Sequence, residues 1–237
     1  MVMFPKKKTN NIMVFDVETN GLLPKDKIST TKQTIHLFPY ILQLSYTIYN
    51  IEKQKCVKTF DAYINIPKRI EISNQITELT GITREKCEKG MNILSALRAF
   101  HSDFIMCDEI IAHNMRFDKQ MILVELTRNF DSIQASMPSI FTTFNSKYME
   151  RYEVETYCTM MNGIQMCNIQ VEGKEGKTYK KWRKLNELYS HLFKTPAPDN
   201  LHNSLVDTVV CLRCYLKMKA NIDMRDRSFA KLLSLMK

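Results

Sequence analysis

The sequence lacks any uninterrupted apolar run near the ~20 residues that a membrane-crossing helix requires, which excludes a membrane span. Its first ten residues, MVMFPKKKTN, lack the apolar stretch of a secretory signal. There is no internal repeat and no low-complexity block. The seven cysteines are odd in number and scattered, which argues against a disulfide framework and for a reducing compartment. The expectation is an intracellular protein, cytoplasmic or nuclear and not secreted. Cys211 and Cys214 have C-x-x-C spacing, but no second Cys or His pair lies close in sequence, so they read as helix packing before zinc binding.

What is present is ordinary in bulk and biased in charge. A chain of 237 residues, 44% hydrophobic, can bury one sizeable α/β domain with insertions, or two small ones. Thirty-four Lys and Arg residues against 25 acidic ones give +9, an excess that suits a polyanion, most simply nucleic acid. Lys6, Lys7 and Lys8 read as a solvated basic tail within residues 1–10.

The stretch NIMVFDVETNG, 11–21, reads as a buried strand ended by Asn20-Gly21. Strand side chains alternate, so Asp16 and Glu18 share one face while Phe15 and Val17 share the other. Two carboxylates on a mostly buried strand repel each other and are costly to desolvate, and a divalent cation between them resolves both problems. A polar connection, 22–40, follows. Residues 40–49 and 57–66 read as two more strands, and short turns imply an antiparallel meander. Residues 74–80 look helical, with Gly81 as C-cap. Ile93, Leu97, Phe100 and Phe104 define one face of a helix over 91–107. EIIAHN, 109–114, reads as a short buried strand, and MRFDKQMILVEL as a helix with Asn114 as N-cap and Asp118 in the first turn. Residues 128–152 read as an irregular insertion, and 153–161 as a strand running into a helix.

Residues 165–184 read as a hairpin bearing Lys174, Lys177, Lys180 and Lys181 beside the only tryptophan, Trp182. Charge interleaved with aromatics suits a single nucleic-acid strand; a solvated hairpin with Trp182 anchored in the core is the other reading. Helices over 184–193 and about 203–219 follow, with an amphipathic helix in 225–237.

Three acidic islands stand out: Asp16 with Glu18, then Asp118, then Asp207 with His202. Each falls at a strand end or helix start, where α/β sheets gather functional groups. Four converging carboxylates in a basic protein point to two divalent cations, Mg²⁺ or Mn²⁺, about 3.5–4 Å apart, clamping the attacking and leaving oxygens of a phosphodiester. His202 is the candidate for taking a proton from water near neutral pH.

FDVET, HNMRFD and HNSLVD, in that order, resemble the three motifs of the DnaQ-like 3′–5′ exonucleases, and His202 at the H-x-x-x-x-D spacing resembles their DEDDh branch. LTGIT at 79–83, TYCTMM at 156–161 and KLNELYSHLF at 184–193 extend the resemblance over roughly residues 11–219. The resemblance implies a ribonuclease-H-like α/β fold, a five-stranded mixed sheet flanked by helices, and 3′-to-5′ release of nucleoside 5′-monophosphates. It implies Asp16, Glu18, Asp118 and Asp207 as ligands of two metal ions, with His202 as general base. It places Thr19, Leu79, Thr80 and Asn114 near the terminal nucleotide, with Phe117 packing beneath the site as part of the substrate-binding set. Its partners would be single-stranded 3′ ends; relatives also form homodimers or join polymerase and repair complexes. On this basis the exonuclease domain covers 11–219, with insertions at about 128–152 and 165–183, and 220–237 is a C-terminal helical extension. Two departures are Asn20, where a second threonine is frequent, and Ser204, where alanine is frequent. A catalytically inactive nucleic-acid-binding scaffold is the alternative, but none of the four carboxylates is missing. A tyrosine-dependent branch would need Tyr at 203, which is Asn203. A small-molecule phosphohydrolase would have less use for the basic surface.

Overall fold

The computed structural model describes residues 8–167, 170–172, 178–180, 182–224 and 226–234. Strand β1 (Asn11–Thr19) is apolar on both faces over Ile12–Phe15, the pattern of a strand covered on both sides. It lies at the middle of a five-stranded sheet. It pairs antiparallel with β2 (Ile41–Asn50), which pairs antiparallel with β3 (Lys55–Tyr63). On its other side it runs parallel to β4 (Glu109–Ala112), which runs parallel to β5 (Glu155–Cys158). The order β3-β2-β1-β4-β5 is the mixed sheet expected from the sequence, with the three-strand meander at one edge.

The alternation along β1 sorts the core into two layers. Met13, Phe15 and Val17 face one layer with Leu97, Phe100 and Phe104 of α3 (Ile93–Phe104). Ile12 and Val14 face the other, with Leu188 of α8 (Leu185–Phe193) and Val209 and Leu212 of α9 (Ser204–Ala220). Helix α9 is fastened along its length. Thr208 shares a 3.0 Å hydroxyl contact with Thr47 of β2, and Tyr215 and Lys219 donate to the Glu109 carboxylate at 2.7 and 2.6 Å. Cys211 and Cys214 are buried in this packing, as their apolar setting suggests.

Helices α1 (Asn74–Thr80) and α2 (Arg84–Glu88) precede α3. Gly81 takes φ +69°, a left-handed conformation that suits glycine, and its N–H closes α1 on the Thr77 carbonyl. Helix α4 (Met115–Arg128) leads from β4. The stretch 128–152 is not the irregular insertion expected. It forms α5 (Phe130–Ser136), a 3₁₀ turn over 138–142 and α6 (Ser146–Arg151). Ile133, Ile140 and Phe144 from it are buried, and the Phe144 ring packs edge-on against Phe104 at 5.1 Å. Its anchors fall in two short elements and the turn after them, so no helical stripe forms in the sequence. Helix α7 (Thr159–Cys167) follows β5 directly. Strands β6 (Gln170–Glu172) and β7 (Thr178–Lys180) pair antiparallel as the expected hairpin; Lys174, Lys177 and Lys181 lie outside the described residues. Helix α10 (Asp226–Ser234) ends the description, and among the described residues no helix is long and apolar enough to cross a membrane.

Candidate active site

Because β1 and β4 are parallel, their carboxyl ends open on the same side of the sheet, where ligands of α/β sheets bind. Asp16 and Glu18 come from the end of β1, Asp118 from the first turn of α4, and Asp207 from the first turn of α9. All four line one cleft of about 950 Å³, together with His202. The β1–β2 register shifts between Glu18 and Thr19, a bulge of the kind that re-aims a strand's side chains beside a site. Asn203 caps α9, its side chain accepting from the N–H groups of Leu205 and Val206 at 3.1 and 3.4 Å. The preceding His202 has φ +71° and donates its backbone N–H to Asp207 Oδ2 at 3.2 Å.

The carboxylates crowd one another. Ligand atoms of Glu18, His202 and Asp207 lie within 4.8 Å of one another, the one such group among the described residues. Asp16 and Asp118 stand outside that tight trio but within its field. Burial pushes Asp16 up to about 7. Burial and then the charges of Asp16, Asp207 and Asp118 push Glu18 up to about 9. Burial and the Asp16 charge likewise hold Asp118 and Asp207 well above the usual carboxylate range. Asp118 Oδ1 accepts from the Val17 N–H at 3.3 Å, while Asp207 Oδ1 is buried with no hydrogen-bond partner. No ion pair among the described residues involves any of the four. An orphaned buried carboxylate oxygen beside three hard oxygen donors fits a divalent cation such as Mg²⁺ or Mn²⁺.

The remaining expected residues divide. Asn114 and Phe117 line the cleft, but Asn114 makes no side-chain cap on α4; its carbonyl accepts from the Phe117 N–H instead. Thr19, Leu79 and Thr80 are not on the cleft surface. Thr19 is buried and its hydroxyl donates to the Gly21 carbonyl at 2.6 Å, and the Thr80 hydroxyl donates to the Ile76 carbonyl at 2.8 Å. Trp182 is not anchored in the core: it is 59% exposed on the cleft wall, while its neighbours Arg183 and Leu185 turn inward. Lys180 lies in β7, and its side chain is outside the description.

Other residues support the site through contacts that the sequence did not show. Ser204 is fully buried and donates its hydroxyl to the Asp16 carbonyl at 2.7 Å. Its N–H donates to Gln43 Oε1 at 3.4 Å, and the Gln43 amide in turn donates to Asp61 at 2.8 Å. The serine thus ties the start of α9 to β1 at the first carboxylate. Asn20 also has a local reason: its side chain accepts from the Tyr40 N–H at 2.7 Å and donates to the Glu71 carbonyl at 3.1 Å, pinning the turn after Glu18. Further back, the buried Glu125 accepts from the Ile41 N–H at 3.4 Å, next to the bulge, and pairs with Arg128. Arg128 donates to the Phe38 and Pro39 carbonyls at 2.9 Å each, which joins α4, the helix of Asp118, to the entry of β2. Leu22, 84% exposed, also lines the cleft.

A ribonuclease-H-like sheet whose strand ends gather four carboxylates and a histidine defines a class of nucleic-acid-processing folds. Within that class, the RNase T exonuclease family model matches residues 13–215, and the chain belongs to that exonuclease family. No curated protein sequence matches the chain. Among solved structures it is similar to a full-length 3′-exonuclease, at 12% identity and TM-score 0.61, over 92% of this chain and 63% of that one. It is similar to the 3′-exonuclease that recognises the histone mRNA stem-loop, at 11% identity and TM-score 0.60, over 91% of this chain and 84% of that one. It is also similar to the zinc-bound E. coli ExoI–ssDNA complex, at 17% identity and TM-score 0.55, over 96% of this chain and 43% of that one. The chain therefore spans less than two thirds of the length of the first and the third. At these identities the likeness carries the fold.

Proposed function

We propose that this chain is a metal-dependent 3′-to-5′ exonuclease that hydrolyses phosphodiester bonds of DNA or RNA and releases nucleoside 5′-monophosphates. The observation that carries the reading is the convergence of Asp16, Glu18, Asp118 and Asp207 on one cleft, with Asp207 Oδ1 buried and unpartnered. Those four side chains would hold two Mg²⁺ or Mn²⁺ ions in this reading, with Glu18 and Asp207 close together beside His202. The ions, when bound, supply Lewis acidity that makes water a better nucleophile and offsets charge on the attacking and leaving oxygens.

His202 is the general base. It is exposed at the cleft mouth, its backbone is tied to Asp207, and an imidazole is the side chain suited to proton transfer near neutral pH. Asn114 and Phe117 line the terminal-nucleotide pocket, and Trp182 with the basic hairpin meets the strand behind it. Product analysis tests the reading: digestion of a single strand with Mg²⁺ yields nucleoside 5′-monophosphates, and 3′-monophosphates or no products would refute it.

Two further outcomes are expected. His202→Ala slows hydrolysis by ~10²–10⁴-fold, the usual contribution of a general base, with oligonucleotide affinity by fluorescence anisotropy retained. Equal loss of affinity would make His202 a binding or structural residue. Neutralising Lys174, Lys177, Lys180 and Lys181 together lowers the slope of log affinity against log salt by roughly 3, since each phosphate contact to a single strand contributes about 0.7. An unchanged slope would return the hairpin to a solvated face.

A further inference from the structure

The segment 182–184 has no helix or strand of its own, yet it forms one wall of the cleft. What holds it there is His113, at the end of β4. The His113 Nε2 lies 2.9 Å from the Arg183 carbonyl, and its Nδ1 lies 2.9 Å from the Thr159 hydroxyl. A carbonyl only accepts, so Nε2 carries the proton. A neutral ring then leaves Nδ1 as an acceptor, and the Thr159 hydroxyl donates to it. Burial lowers His113 to about 4, which keeps the ring neutral and in this single tautomer around pH 7. Thr159 is itself fully buried, with its oxygen 3.4 Å from Cys211 Sγ in α9. One side of the imidazole is thus set by the core, and the other grips the wall. On the far side of the segment, Glu187 accepts from the Lys184 N–H at 3.1 Å and fixes the start of α8. Both anchors grip the peptide between Arg183 and Lys184, and just ahead of it the chain turns Arg183 inward, 8% exposed, and Trp182 outward, 59% exposed.

An indole left in solvent on the wall of a cleft presents a flat apolar face on which a nucleobase can stack. We propose that His113 is a positioning residue that clamps segment 182–184 so that Trp182 presents its ring to a base of the bound strand, making the pair a determinant of strand affinity. This inference rests on the nucleic-acid reading of the cleft. Neither residue touches the bond to be broken in this assignment, so the pair acts on KM and leaves kcat to the carboxylates and His202.

Trp182 is the only tryptophan, so intrinsic fluorescence reports the wall directly and without turnover. Titrating the full chain with oligo(dT) in chelator is expected to quench its emission. His113→Leu, which keeps the bulk but loses both hydrogen bonds, is expected to shift that emission and raise the oligonucleotide Kd and KM about ten-fold, within the range one stacked base is worth. In the same variant kcat is expected to stay within about two-fold. His113→Gln, whose amide offers one donor and one acceptor, is expected to restore most of the affinity, and Thr159→Val, which removes only the buried donor, to weaken it in the same direction. Wild-type emission, quenching and KM in His113→Leu would overturn the proposal while leaving an active exonuclease. Intact coupling in a chain that hydrolyses nothing would instead overturn the exonuclease reading and keep the clamp. Absence of any quenching in the wild type would remove both the stack and the clamp.

Discussion

Asp207→Asn is expected to lower the rate of 3′-end hydrolysis by at least about 10³-fold. The substitution keeps the shape and the cap on α9 but removes the carboxylate whose Oδ1 is buried and unpartnered. A catalytic cation contributes several kcal/mol to charge stabilisation, and each ~1.4 kcal/mol is a factor of ten in rate. The same variant is expected to fold at least as well as the wild type in chelator. Asp207 is held well above the usual carboxylate range by burial and by Asp16, so removing its charge relieves repulsion inside the cleft. The melting temperature in chelator should be unchanged or higher, and the stabilisation that Mg²⁺ gives the wild type should be lost. Turnover like that of the wild type would sink the assignment of this residue. A variant that simply fails to fold would show that Asp207 serves structure first.

The second large effect is on stability. Glu18 is raised to about 9 and Asp16 to about 7, chiefly by burial. A carboxyl whose pKa is higher folded than unfolded holds its proton in the native state after the unfolded chain has lost it. Its stabilising contribution is complete below the ordinary carboxylate range and disappears as pH rises through the folded value. The buried His113, lowered to about 4, works the other way, but only below its ordinary value of 6.5. The window free of histidine burial is therefore pH 6.5 to 9, and the buried Glu125, also raised to about 7, adds to the fall at its lower end. Across it the melting temperature in chelator is expected to fall by about 5 °C or more, on the scale of ~2–4 °C per kcal/mol for a chain of this size. Saturating Mg²⁺ is expected to flatten that slope, because a cation favours the ionised carboxylates. Equal slopes with and without Mg²⁺ in differential scanning calorimetry would mean that the carboxylates do not share a cation.

These expectations rest on features of unequal visibility in the sequence. The alternation of NIMVFDVET is legible because a strand buried on both faces has few other ways to carry two acids on one side. The positions of Asp118 and Asp207 are legible because strand ends and helix starts leave their own marks, and motif order ties them together. The helical character of 128–152 was not legible, since Ile133 and Ile140 belong to two separate short elements and Phe144 to the turn after them. Trp182 could be read either way, because an aromatic beside lysines suits a core anchor as well as a stacking surface. Nor could sequence show that the Thr19 and Thr80 hydroxyls are satisfied within their own turns, leaving Asn114 and Phe117 to line the cleft. The long-range tethers, His113 to the Arg183 carbonyl and Ser204 to Asp16, join residues 70 and 188 positions apart, a separation at which a single sequence carries no pattern.

The most direct test of the account is digestion of 5′-labelled and 3′-labelled single strands, DNA and RNA in parallel, with Mg²⁺, with Mn²⁺ and with chelator. The 5′-labelled strand is expected to shorten stepwise while the 3′ label is released at once as a mononucleotide, in both metal lanes and not with chelator. Uncut strands in every lane, with tight binding retained, would contradict it and leave the four carboxylates of a nucleic-acid-binding scaffold.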